Sequence, residues 1–468
     1  MGDGAGGATG RSGAAAPSWL SRLSGPLSAA AAGVAAGEVT STSLVSDALA
    51  AVAARDDELH AVVDLDADAA LAEAVELDAE RRDGRWRGPL HGVPMTVKDV
   101  IDVAGFLTRA GSDAYVDRPA EDAAAVGRLR RAGAVVIGKV STHEFALGVT
   151  SPQSRNPHDP TRLPGGSSGG SAIAVATGMG LASLGTDTRA SIRVPAALSG
   201  VVGLKATFGR VPTEGWCRCR GRWTTSPRWR RPSPTPAWCS RSSPGSSRAR
   251  WSRPRRWVTS PGCGSACRRR PSTMPPRRWT PRCDPHWRRW RRSAPTSSTW
   301  LARLPPTSLA SAAGLFVSRC EAAAFHRSLG LDRSRYWAEV DDQLREAATV
   351  TAVDYLDAQR ARTVLATDMA RVLESVDLLA MPTSPVVAPP AEDYAEYLML
   401  LARNAIPWSF VGFPALSLPC GWVAIDHDGA AAGPRLPVGL QLVAPPDRED
   451  LLLRVAIALE AALAGAGS

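Results

Sequence analysis

The chain has 468 residues, enough for one large domain or two to three smaller ones, each with an adequate core. It contains no run of 18 or more apolar residues, which excludes a membrane-spanning helix and leaves no membrane partner to argue for. The formal net charge of +10 raises nucleic acid as a partner until that charge is located.

Residues 1–17 are rich in Gly, Ala and Ser and lack the basic-then-apolar order of a signal peptide, so they read as a disordered tail. Residues 18–82 read as helical. Leu44, Val45, Ala48, Leu49 and Val52 recur at helical spacing behind a cap cluster of Thr40, Ser41 and Thr42, and a second helix covers 67–82. A core region over 83–215 begins with a turn at 88–94 that leads into a short apolar strand, 95–100, bearing Lys98 and Asp99. A helix over 122–132 then feeds 134–139, a buried parallel strand. The part over 306–468 supplies helices near 311–329 and 353–375 and strands at 376–382, 415–419 and 437–443. A last helix runs over 448–464. Helices alternating with apolar strands indicate an α/β sheet.

The basic charge sits in one segment. Residues 216–300 hold 22 Arg, no Lys and one acid, Asp284, which leaves a net −11 on the other 383 residues. The same segment holds ten of the fifteen Trp, six of the eight Cys and 13 Pro, with no Leu, Ile, Phe or Tyr. No apolar face of either period can be drawn from it. A nucleic-acid insert would use the Arg and stack bases on the Trp. A zinc module from Cys263, Cys267, Cys283 and His286 has irregular spacing and no framework. The preferred reading is a shifted reading frame over about 216–305. Trp is encoded only by TGG, so each Trp can be a Leu, Val or Met codon followed by a G-initial codon, read one base late. Shifted back, 216–226 fits Val-Pro-Leu-Ser-Arg-Ser-Leu-Asp-His-Val, an ordinary globular string.

Two stretches carry the chemistry. Gly165, Gly166, Gly169 and Gly170 enclose Ser167 and Ser168 directly before an apolar helix, a loop whose N–H groups can converge on an anion or oxyanion. It is hemmed in too closely to be a tether, and it lacks the Gly-Lys-Ser/Thr ending of a phosphate loop. Downstream stands Gly-Thr-Asp-Thr-Arg-Ala-Ser-Ile-Arg-Val-Pro over 185–195. The seven His do not cluster, which disfavours a Ser-His-Asp hydrolase. Lys98 is one of only three lysines, with Lys139 and Lys205, and it follows Met95, Thr96 and Val97 in an apolar strand.

These motifs resemble the amidase signature family. The resemblance rests on the Gly-Gly-Ser-Ser-Gly-Gly-Ser run at 165–171, on Ser191 placed 24 residues after Ser167, and on Gly-Val-Pro-x-x-Val-Lys-Asp at 92–99. It extends to 381–383, 412–415 and 437–441. It implies a single α/β domain with a mixed central β-sheet covered by helices on both faces. It also implies a Ser–Ser–Lys triad: Ser191 as nucleophile, Ser167, on a cis peptide, as proton carrier, and Lys98 as base. A hydroxyl is a weak attacker without such help, and Lys98 must be neutral to give it, several units below a lysine's usual value of about 10.4. Backbone N–H groups of Thr188, Arg189, Ala190 and Ser191 would hold the oxyanion. Ser168, Asp187 and Arg193 would support the loop, the latter two as an ion pair.

The family has Gly-Gly where this chain has Arg189-Ala190. Were the backbone there to need positive φ, the non-glycine residues would cost about 1–2 kcal/mol each, and losing an oxyanion donor about 100-fold in rate. Lys139 and Glu144 read as fold-supporting residues beside the pocket, and Cys320 and Cys420 as reduced core residues of a cytoplasmic protein. The implied activity is hydrolysis of the C–N bond of a small-molecule carboxamide, with no cofactor and no metal; a homodimer is compatible with it. The alternatives are the A subunit of a tRNA-dependent amidotransferase, a catalytically impaired amidase, and nucleic-acid binding through 216–300.

Overall fold

The computed structural model describes residues 27–217, 229–230, 257–259, 307–425 and 434–464. The tail over 1–17, the four residues weighed as zinc ligands, and most of 216–305 lie outside them. The chain opens with helices α1 (Leu27–Ala36) and α2 (Ser41–Leu59), a short strand β1 (Val62–Leu65) and helix α3 (Ala67–Arg82). Thr40 caps α2, its hydroxyl accepting from Ser43 N–H, which satisfies one of the donors a helix start leaves unpaired. β1 interrupts the stretch read as helical. Its four residues alternate half-buried and exposed, and antiparallel pairing with a later strand, not an apolar run of its own, holds it in place.

The site is built on β2 (Pro94–Lys98), α4 (Ala124–Arg131), β3 (Val135–Val140), α5 (Gly169–Thr177), β4 (Ala182–Leu184), α6 (Arg193–Ser199) and β5 (Val202–Lys205). Two short pieces of the Arg-rich segment, β6 (Trp229–Arg230) and β7 (Trp257–Thr259), come next. The C-terminal half supplies α7 (Thr307–Leu329), α8 (Ala338–Ala348), α9 (Ala352–Glu374), β8 (Leu378–Pro382), α10 (Tyr394–Ala402), α11 (Ile406–Phe410), β9 (Ala415–Ala424), β10 (Arg435–Val443) and α12 (Glu449–Ala464). No described helix is long and apolar enough to cross a membrane.

The strands hydrogen-bond in two sets, β1-β3-β2-β4 and β6-β5-β9-β10-β8-β7. In the first, β2 runs parallel to both β3 and β4. In the second, β5, β9, β10 and β8 are antiparallel in turn, with β6 antiparallel and β7 parallel at the two edges. Both sets are mixed with helices on each face, and the period-two alternation of strand side chains shows it. Val135 and Ile137 pack against Val45 and Ala48 of α2 and Ala74 and Leu77 of α3. Val136 and Val140 belong to the cluster that holds Ile173 and Ala174 of α5. In the second set Leu379 and Met381 meet Leu365 and Met369 of α9, while Leu378 and Ala380 meet Leu452 and Val455 of α12.

Candidate active site

Lys98 ends β2, a strand whose five residues are all buried, so its side chain has no route to water and points to a polar partner inside. That partner is the glycine-rich loop before α5. Gly165 has φ +77°, and a Cβ on Gly166 would lie 2.0 Å from the carbonyl oxygen of Thr150. The loop is therefore laid directly on the 150–151 backbone, where only glycine fits. The Gly166–Ser167 peptide is cis.

This places Lys98 Nζ 2.8 Å from Ser167 Oγ and 2.7 Å from Thr186 Oγ1. Ser168 ties the parts together: its hydroxyl donates to the carbonyl of Thr186 (3.0 Å) and accepts from Thr186 N–H (3.2 Å). Its own N–H donates to the carbonyl of Ser191 at 3.1 Å. Lys98, Ser167, Ser168, Thr186 and Ser191 are all buried. Ser191 Oγ has no hydrogen-bond partner among the described residues. The structure thus brings Lys98, Ser167 and Ser168 into one chain with the Ser191 backbone, but leaves the Ser191 hydroxyl short of a hydrogen bond to Ser167.

Thr188, Arg189 and Ala190 directly precede Ser191 in the chain and are buried. Neither Arg189 nor Ala190 adopts positive φ, so the backbone strain considered for non-glycine residues there does not arise. Asp187 and Arg193 bracket the loop as a fully buried ion pair, Nε to Oδ2 2.9 Å. Arg193 also donates to Gln441 Oε1 (2.6 Å) and to the carbonyls of Ala405 (2.9 Å) and Arg189 (3.2 Å). Ser409 Oγ donates to Asp187 at 2.9 Å. Burial pushes the Asp187 carboxyl up, but the Arg193 charge and hydrogen bonds outweigh it and hold the group below its ordinary value. Removing one member of such a pair strands a buried charge. Arg193→Ala is expected to lower stability by about 3–5 kcal/mol, read as a reduced urea midpoint.

Lys139 and Glu144 serve the fold. Lys139 pairs with Asp99 at 3.1 Å, and Glu144 accepts from Ser112 Oγ (2.6 Å) and Trp337 N–H (2.8 Å). Cys320 and Cys420 form no disulfide among the described residues and are half-buried instead of in the core. Three residues escaped sequence reasoning: Thr186, which shares Lys98 with Ser167, and Ser409 and Gln441, which complete the Arg193 cage. Thr186 and Gln441 sit inside the family motifs at 185–195 and 437–441, but nothing local marks which partner they meet.

Lys205, at the end of β5, is buried and donates to the carbonyl of Ala206 at 3.0 Å. Burial and the neighbouring Arg193 charge lower its pKa from 10.5 to about 7. With the folded value below the unfolded one, the unfolded chain binds more protons between the two. Stability is highest above the unfolded value, falls as pH drops through that window, and levels off below the folded value. Lys205→Met is expected to remove up to about 1.4 kcal/mol of slope per pH unit across it, checked by urea unfolding at a series of pH values.

The Amidase family profile matches residues 43–226 and 323–453. The chain is 35% identical over 473 residues to the A subunit of the glutamyl-tRNA(Gln) amidotransferase of Chloroflexus aurantiacus, covering 92% of this chain and 94% of that one. It is 34% identical over 451 residues to an amidase of Pseudomonas putida, covering 91% and 93%. The solved peptide amidase of Stenotrophomonas maltophilia superposes with a TM-score of 0.69 at 27% identity, over 93% of this chain and 96% of that one. Fold and profile together define an α/β enzyme that hydrolyses amides. The chain belongs to the amidase signature family.

Proposed function

We propose that this amidase cleaves its carboxamide through an acyl-enzyme on Ser191, with Ser167 and Lys98 moving the proton. The observation that carries the reading is the buried 2.8 Å contact between Lys98 Nζ and Ser167 Oγ. Lys98, as the neutral amine, accepts the Ser167 proton while Ser167 accepts that of Ser191, and Ser191 Oγ bonds to the carbonyl carbon. The carbonyl oxygen, now negative, turns to the N–H groups of the 188–191 loop. The Ile192 N–H is already engaged by Asp187 Oδ2 at 3.3 Å, which fixes the loop behind the nucleophile. The proton returns from Lys98 through Ser167 to the departing nitrogen as the C–N bond breaks. Water then attacks the acyl-enzyme by the same relay and releases the acid.

The missing Ser191–Ser167 hydrogen bond is consistent with a contact that closes only once substrate is bound. Hydroxylamine tests the intermediate. With a simple amide it should partition the acyl group into a hydroxamate at the expense of the acid, and an unchanged yield of acid at saturating hydroxylamine would refute an acyl-enzyme.

The Chloroflexus relative favours a second reading, the A subunit of a glutamyl-tRNA(Gln) amidotransferase, which co-purification with further subunits would support. A cytoplasmic location belongs to the same proposal, supported by three cysteines held in no disulfide among the described residues, Cys217, Cys320 and Cys420.

A further inference from the structure

Arg189 stands two residues before Ser191, and no ion pair to its side chain is found among the described residues. It is 8% exposed, and its Nε is buried with no hydrogen-bond partner among the described residues. It lines a cavity of about 10 Å³ together with Thr188, Gly314, Ser318, Ile406 and Phe410, room for one water-sized group such as a carboxylate oxygen. None of those neighbours brings a negative charge. Beside it Arg319, next in sequence to the cavity-lining Ser318, also has a buried Nε without a partner, although its terminal nitrogen pairs with Glu346. Burial and the Arg319 charge lower the Arg189 pKa to about 10, which leaves it a cation at neutral pH. A buried cation is unfavourable unless an anion joins it. Guanidinium is also the side chain best shaped to take a carboxylate.

We propose that Arg189 determines substrate specificity, accepting the carboxylate of an amide that carries one a few bonds from its scissile carbonyl. This deepens the amidase reading and rests on it. Arg189 lies in the same loop as Ser191, two residues before it, and that proximity along the chain is the ground for a substrate that carries both groups. Succinamate, a half-amide of a dicarboxylic acid, has that form, and 4-methylpentanamide is its uncharged counterpart of similar shape.

Binding is measured by calorimetry on the full-length Ser191→Ala protein, so that the result does not depend on turnover. Succinamate is expected to bind at least tenfold more tightly than 4-methylpentanamide. Adding Arg189→Met should bring that ratio to about one, and in the turning-over enzyme the same variant should collapse the ratio of kcat/KM values through KM. Ser318→Asp, which places a carboxylate in the cavity, should also erase the preference and serves if Arg189→Met does not fold. Equal affinity for the two amides in the Ser191→Ala protein, or a ratio that Arg189→Met leaves intact, would overturn the assignment. So would chloride that binds competitively with neither amide yet accelerates 4-methylpentanamide hydrolysis in an Arg189-dependent way, since the cavity would then belong to a free anion. Absence of any turnover alongside a strong carboxylate preference in binding would count against the catalytic reading alone.

Discussion

Ser191→Ala is expected to abolish amide hydrolysis, a fall of about 10,000-fold or more in kcat, and Lys98→Met to fall nearly as far. The two losses should not add. Ser191 supplies the bond to carbon, and Lys98 acts only on the proton that leaves it, so once either is gone the other has nothing to assist. Methionine is preferred to alanine at position 98 because Lys98 is fully buried, and truncation would open a cavity beside the Ser167 and Thr186 hydroxyls. Ammonia release from a panel of aliphatic, aromatic and peptide amides measures the effect, and circular dichroism shows whether each variant is folded. A folded Lys98→Met protein with unchanged kcat would remove the lysine from the mechanism. A folded Ser191→Ala protein that still turns over would move the nucleophile elsewhere. Thr186→Val gives the graded comparison: it keeps the shape, removes one of the two hydroxyls on Lys98, and should lower kcat far less than either.

How much of this could be read from the chain depended on distance along it. Lys98 was legible because a rare residue type interrupts an apolar strand, and Ser167 and Ser168 because four glycines surround them. Those are local signals, and the contacts they imply are short-range in space once β2 and α5 pack. The Arg193 cage is different. Its partners Ser409 and Gln441 lie 216 and 248 residues downstream, and no periodicity in a sequence announces which buried amide meets which guanidinium. Short elements were lost for another reason. β1 and β4, of four and three residues, are shorter than the window in which alternation can be told from a helical pattern. The concern over Arg189 and Ala190 assumed that glycines mark positive φ. The loop takes ordinary backbone angles there, so a side chain can be accommodated, and what changes is that the loop carries a guanidinium two residues before the nucleophile.

We propose that the reading frame is shifted across codons 216–305, and restoring it is expected to raise the stability of this protein. The family profile stops at 226 and resumes at 323, and the gap it skips falls on the Arg- and Trp-rich segment. That segment offers the edges of the second set of strands only Trp229–Arg230 beside β5 and Trp257–Thr259 beside β8 among the described residues. With no Leu, Ile, Phe or Tyr between 216 and 300, it has little aliphatic surface to bury there. A frame such as Val-Pro-Leu-Ser-Arg-Ser-Leu-Asp-His-Val returns Leu and Val at intervals a strand or helix can use. Each such side chain, when fully buried, contributes roughly 1.5–3 kcal/mol. Even a few of them, after the ordering entropy of the new segment is subtracted, should raise stability by about 5 kcal/mol or more. Resequencing the gene is the first check, because an error-free frame through codons 216–300 ends the idea. If the frame is broken there, urea unfolding of the repaired chain against the present one is the second. A repaired chain with the same midpoint and the same slope would mean that the segment adds nothing to the core.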